Sequence, residues 1–151
     1  MRWENIIIHH SLTKDSDTVS WQAIRKYHIE TMGFKSTGYH YGIELINDEY
    51  EIIVGRLLDE QGAHTKGKNH DSIGICIVGN FDLAPPNERQ WELTTKLCVS
   101  LARVFNIRLS NIYGHRDFAN YKTCPGVMFN MEKLRDDVAK SIIGNVKRYE
   151  T

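Results

Sequence analysis

The sequence has no surplus of charge of either sign: nineteen Lys and Arg balance nineteen Asp and Glu. Without a net positive field the chain is a poor polyanion binder, which argues against nucleic acid and anionic lipid as partners. Long hydrophobic runs are missing too. The longest, Ile6-Ile7-Ile8 and Ile75-Cys76-Ile77-Val78, fall far short of the about 20 residues that cross a bilayer. The opening Met1-Arg2-Trp3-Glu4-Asn5 carries neither the apolar segment nor the small-residue cleavage site of a secretory signal, so a cytoplasmic location is expected. Three cysteines, Cys76, Cys98 and Cys124, are too few and of the wrong parity for a disulfide framework. Repeats, low-complexity tracts and Pro/Ser-rich linkers are absent, and the one break in composition is Asp82 to Asn87.

What is present is 151 residues, 41% of them apolar, enough for one domain around one core, expected as a monomer. Asn5 to His9, short and β-branched, reads as a strand. Ser20 reads as the N-cap of a helix to about Met32, stopped by Gly33. Tyr39 to Ile46 and Tyr50 to Arg56 flank the turn signal Asn47-Asp48-Glu49 and make a hairpin. Ile73 to Val78 is apolar throughout, as a strand covered on both faces is. Asn87 and Gln90 form a capping-box pattern ahead of Leu93, Leu97, Leu101, Val104 and Phe105 at helical spacing. A short strand at Asn111 to Gly114 and a C-terminal helix with Leu134, Val138 and Ile142 on one face complete the pattern. Strands alternating with helices around one antiparallel hairpin predict an α/β fold, a mixed central sheet flanked by helices.

The chemistry-bearing residues gather in loops and at strand ends. Tyr113-Gly114-His115-Arg116-Asp117 leads to Lys122-Thr123-Cys124-Pro125-Gly126, which places a His and a Cys at the two ends of one irregular loop. Imidazole nitrogen and thiolate sulfur both suit zinc, and a Cys followed by Pro-Gly sits in a stiff turn. A third ligand could come from His9 or His10; adjacent strand residues point to opposite faces, so only one of them can reach a shared metal. Cys76 and Cys98, inside a strand and a helix, read as small buried hydrophobes. His28 reads as a packed helix residue and His70 as a solvated one.

Ile6-Ile7-Ile8-His9-His10-Ser11, Gly38-Tyr39-His40-Tyr41, Gly62-Ala63-His64, Asn69-His70-Asp71-Ser72-Ile73-Gly74-Ile75, Gly114-His115-Arg116-Asp117 and Lys122-Thr123-Cys124-Pro125-Gly126 stand in one order. That ordered set resembles the type 2 N-acetylmuramoyl-L-alanine amidases, a family that includes phage endolysins and is related to the peptidoglycan recognition proteins. Each motif alone is weak, and six in order are specific. The resemblance implies a single catalytic domain over residues 1–151, with its core at about 4–142, and the amidase and recognition-protein type of α/β fold.

It further implies a zinc hydrolase that cuts the amide between N-acetylmuramic acid and the L-alanine of the peptide stem, with His9, His115 and Cys124 as metal ligands. Lys122 falls where the endolysin branch stabilises the oxyanion, and Tyr39 where it positions the water or passes its proton. His40 and His64 become candidates for substrate contact or support of the ligands, and His10 for a structural role or support of the ligands. Asn69, Ser72 and Gly74 would shape the floor of the cleft, and Asp117 would orient an imidazole or turn its loop. The implied partner is peptidoglycan or a smaller muropeptide, reached after release from the cytoplasm. Some phage members also bind an RNA polymerase, which makes that enzyme a further candidate. A cytoplasmic muropeptide-recycling amidase and a non-catalytic peptidoglycan-binding module are the alternatives; in the latter the cysteine ligand is typically absent.

Overall fold

Ile6, Ile7 and Ile8 lie on an interior strand of a five-stranded mixed sheet and have no exposed surface. The computed structural model describes residues 2–12, 27–33 and 37–150. Its strands are β1 (Asn5–His10), β2 (Tyr41–Ile46), β3 (Glu49–Val54), β4 (Ser72–Ile77) and β5 (Ile112–Gly114), in the spatial order β3-β2-β4-β1-β5. β1 is parallel to both β4 and β5, and β2 is parallel to β4. Only the hairpin partner β3 runs antiparallel. Its turn is two residues long: Asn47 and Asp48 take φ of 48° and 68°, the left-handed pair that matches the twist of a tight hairpin. The predicted α/β class with a mixed sheet is therefore the observed one.

Two long helices, α1 (Glu88–Phe105) and α2 (Met131–Glu150), pack on the face that carries Ile6 and Ile8. α1 begins where its sequence says. The Asn87 side chain accepts from the Gln90 backbone N–H, and the Gln90 side chain accepts from the Asn87 N–H, which satisfies two orphan donors at once. Leu93, Leu97, Leu101 and Cys98 are buried from α1, as are Leu134 and Val138 from α2. Val104, expected in the stripe, is 74% exposed. The buried arc of α1 is centred on Thr94, Cys98 and Leu101, and Val104 falls at its margin in the last turn.

Of the helix expected from Ser20, most lies outside the described residues. Tyr27–Thr31 form a π-helical turn, and Gly33 at φ +73° takes the left-handed conformation expected of the stop. Tyr39 precedes β2 instead of starting it. Among the described residues no helix is long and apolar enough to cross a membrane.

Candidate metal centre

Pleating decides which of the paired histidines can serve a shared site. In β1 the side chains of Ile6, Ile8 and His10 share the face under the helices, while Ile7 and His9 point to the other. His10 stacks on Phe81 with ring centroids 6.0 Å apart, and its Nδ1 accepts from the Phe81 N–H at 3.1 Å. His9 is left facing the opposite side. The parallel register sets Cys76 of β4 beside His9, with Gly42 of β2 beyond it, a row of small neighbours that leaves room above the sheet.

The ring of His115 enters this space from the first position after β5, its centroid 4.6 Å from that of His9. Cys124 arrives from the following loop, with Sγ 3.7 Å from His9 Nδ1 and accepting the His10 N–H at 3.4 Å. One ligand atom from each of His9, His115 and Cys124 lies within 4.8 Å of the others, so the three form a group able to hold a metal ion. Burial drives every imidazole here toward its neutral form, the form that ligates. His9 is held well below its ordinary value by burial and then by the neighbouring imidazoles of His64 and His115. His115 is pushed down to about 4 by burial, with the charge of Lys122 adding to it. Burial raises the Cys124 thiol to about 11, against the pull of the His10 N–H and of Lys122.

Arg116 and Asp82, which the sequence did not single out, hold the two loops in place. The Arg116 N–H donates to the Cys124 carbonyl at 2.7 Å, and its guanidinium donates to the carbonyls of Gly126 at 2.6 Å and Phe129 at 2.9 Å. Asp82 accepts from Thr123 Oγ1 and from the Val127 N–H, both at 2.9 Å, bracketing Cys124 from either side. Asp117 accepts from the Gly114 N–H at 2.9 Å, so its place is in the turn that carries His115. The only sequence sign of Arg116 is its position next to His115. For Asp82 there is none, because its partners lie more than forty residues away.

Tyr39 packs its ring 5.1 Å from His9 and hydrogen-bonds the Cys76 thiol; burial raises its hydroxyl well above the ordinary value, so it stays protonated. Cys76, read from sequence as a core residue, is buried but lies on the site face, while Cys98 does join the apolar core. His28 does more than fill a helix: its Nδ1 accepts from the Gly38 N–H at 2.9 Å and fixes the turn ahead of Tyr39. Lys122 is exposed, and its charge reaches His9, His115 and Cys124 alike.

The two further histidines part company. His40, a candidate for substrate contact, has no exposed surface. Its Nδ1 accepts from the Gly74 N–H at 3.1 Å and its Nε2 donates to the Glu60 carbonyl at 2.8 Å, so neither nitrogen is left for a ligand. It props β4 instead. His64 sits beside His9, with Nδ1 3.0 Å from His9 Nε2. Asn69 holds this segment by accepting from the N–H groups of His64 and Thr65, each at 2.9 Å. His70 is exposed, with Nε2 3.5 Å from Asp71, as expected of a solvated residue.

Comparison with known proteins identifies the family. The family described as N-acetylmuramoyl-L-alanine amidase, Amidase_2, matches residues 1–127. An endolysin of Enterobacteria phage T3 is 40% identical over 79 residues, 52% of this chain and 50% of that protein. The chain spans about half the length of the phage endolysins it matches. Peptidoglycan-recognition protein SC2 of Drosophila melanogaster is 29% identical over 128 residues, covering 80% of this chain and 66% of that one. Among solved structures, the N-acetylmuramoyl-L-alanine amidase LysC from Clostridium intestinale superposes with a TM-score of 0.80 at 25% identity, over 91% of this chain and 86% of that one. Taken with the family match over most of its length, the chain belongs to the N-acetylmuramoyl-L-alanine amidase (Amidase_2) family.

Proposed function

We propose that the protein is a zinc-dependent amidase of the phage endolysin kind, which hydrolyses the amide joining N-acetylmuramic acid to the L-alanine of the peptidoglycan stem. The observation that carries this reading is the meeting of His9, His115 and Cys124. Two imidazoles and a thiolate are donors of the softness that zinc takes. A tetrahedral zinc with ordinary bond lengths sets nitrogen and sulfur about 3.5 Å apart, and the separation between His9 Nδ1 and Cys124 Sγ is 3.7 Å. The donor set fits the ion. His9, His115 and Cys124 would hold the ion, which when bound would supply Lewis acidity to an amide carbonyl and acidity to water.

The remaining demands fall on the chain's own side chains. An amide carbonyl gathers negative charge on oxygen as its carbon becomes tetrahedral, and a fixed cation close by lowers the cost. Lys122 is assigned that task because its charge already bears on all three ligands. Tyr39 is assigned the water: its ring lies against His9, and its hydroxyl, protonated at neutral pH, both donates and accepts. The leaving nitrogen must receive a proton, and Tyr39 can pass its own hydroxyl proton toward that nitrogen as it takes up the proton of the attacking water, ending protonated as it began.

The test is mass analysis of fragments from defined peptidoglycan, with and without a chelator. Stems with a new free L-alanine amine, released only without chelator, are the expected products. Retention on peptidoglycan with no new amine would leave a binding module in place of the enzyme, and release that survives chelation would remove zinc from the mechanism. A substrate preference for small muropeptides over intact sacculi would move the reading from lysis to recycling.

A further inference from the structure

His64 has both ring nitrogens engaged, and the proton count along its contacts runs in one direction only. The Ser72 carbonyl, 3.1 Å from His64 Nε2, can only accept, so Nε2 of this neutral imidazole carries the proton and Nδ1 presents a lone pair. That Nδ1 lies 3.0 Å from His9 Nε2, which must then be the donor. A neutral His9 with its proton on Nε2 has its lone pair on Nδ1, the atom facing Cys124 Sγ. The Thr65 hydroxyl, 3.0 Å from His64 Nδ1 and 3.3 Å from His9 Nε2, fits the same assignment, because it can donate to the one and accept from the other.

The ring of His64 is also sterically confined. A Cβ at Gly74 would fall 2.5 Å from its Cδ2, and one at Gly62 2.7 Å from the same atom. Two residues without side chains form the slot that holds the imidazole, and its plane stands at 85° to that of His9.

We propose that His64 is a positioning residue of the metal centre: through the Ser72-His64-His9 hydrogen-bond chain it fixes the His9 tautomer and aims His9 Nδ1 at the position shared with His115 and Cys124. This rests on the metal-binding reading of the site, and it replaces substrate contact as the role of His64. Partners that orient a ligating imidazole typically change metal affinity by about 10–100-fold when removed.

Two variants separate orientation from space filling. His64→Asn keeps an acceptor oxygen where Nδ1 stood, and His64→Phe keeps a ring without nitrogen. Zinc affinity of the whole chain, measured by chelator competition, should fall by about 10–100-fold in His64→Phe and recover in His64→Asn. A ring that only fills its slot predicts the reverse order, and that result would overturn the proposal. Nitrogen NMR of the metal-free protein gives a second readout: His9 should carry its proton on Nε2 in the wild type and lose that preference in His64→Phe. A wild-type His9 protonated on Nδ1 would overturn the proposal without any variant. Wild-type protein that takes up no zinc yet shows the Nε2 tautomer would count against the metal reading alone.

Discussion

His9 Nδ1 and Cys124 Sγ stand 3.7 Å apart although 115 positions separate them in the chain. One lies in β1, an interior strand between β4 and β5, and the other in the loop tied down by Arg116 and Asp82, so the contact depends on the sheet and on both loops.

Cys124→Ser should remove the metal and leave the fold. The thiol sits at a half-buried loop position and contributes nothing to the apolar core. Elemental analysis is expected to show loss of stoichiometric zinc and the amidase assay loss of activity, while circular dichroism stays as in wild type. Full zinc content in this variant would mean that the ligand set is wrong.

Lys122→Ala should separate catalysis from metal binding. The side chain is exposed and lies outside the His9, His115 and Cys124 group that could hold a metal ion. Loss of one oxyanion-stabilising group commonly lowers kcat by about 10²–10³-fold, and steady-state kinetics with zinc content measured on the same sample should show that drop at full metal occupancy. Metal loss in parallel with activity would assign Lys122 to the structure of the loop.

Asp82→Ala should loosen the cysteine loop at a distance from the chemistry. With the acceptor for Thr123 and Val127 gone, the segment that carries Cys124 still has the Arg116 ties, the Met128 N–H to Phe81 carbonyl bond and the His10 N–H to Cys124 Sγ contact, but loses the two bonds that bracket the cysteine. Zinc release to a chelator is expected to be several-fold faster, with KM for peptidoglycan fragments little changed. Release at the wild-type rate would show that the Arg116 contacts suffice.

Acid should destabilise the metal-free protein in a defined window. His115 at about 4 and His64 at about 3 lie below the ordinary imidazole value of 6.5, both because of burial. The unfolded chain then binds more protons than the folded one below about pH 6.5, so their contribution is complete above that pH and drains away as pH falls toward about 4 and then about 3. Urea midpoints measured between about pH 7.5 and about pH 4.5 should fall steadily; a flat profile would mean that these imidazoles protonate freely in the fold.

The sequence determined the parts whose causes are local. Asn87 and Gln90 start α1 because a reciprocal pair of hydrogen bonds needs only four consecutive residues. Asn47-Asp48 close the hairpin because both tolerate positive φ, and the apolar run of β1 buries itself on either face. Six ordered motifs were also enough to mark the family. Strand alternation alone left His9 and His10 open until the family resemblance pointed to His9, and sequence could not place Cys76 on the site face, see that His40 is sealed under β4 contacts, or find Asp82. Those were decided by the packing of β1 between β4 and β5 and by which face the helices cover. Parallel pairing joins segments far apart in the chain, and a pleat sends neighbours to opposite sides, so identity along the chain fixes which residues are available and only the assembled sheet fixes which of them meet.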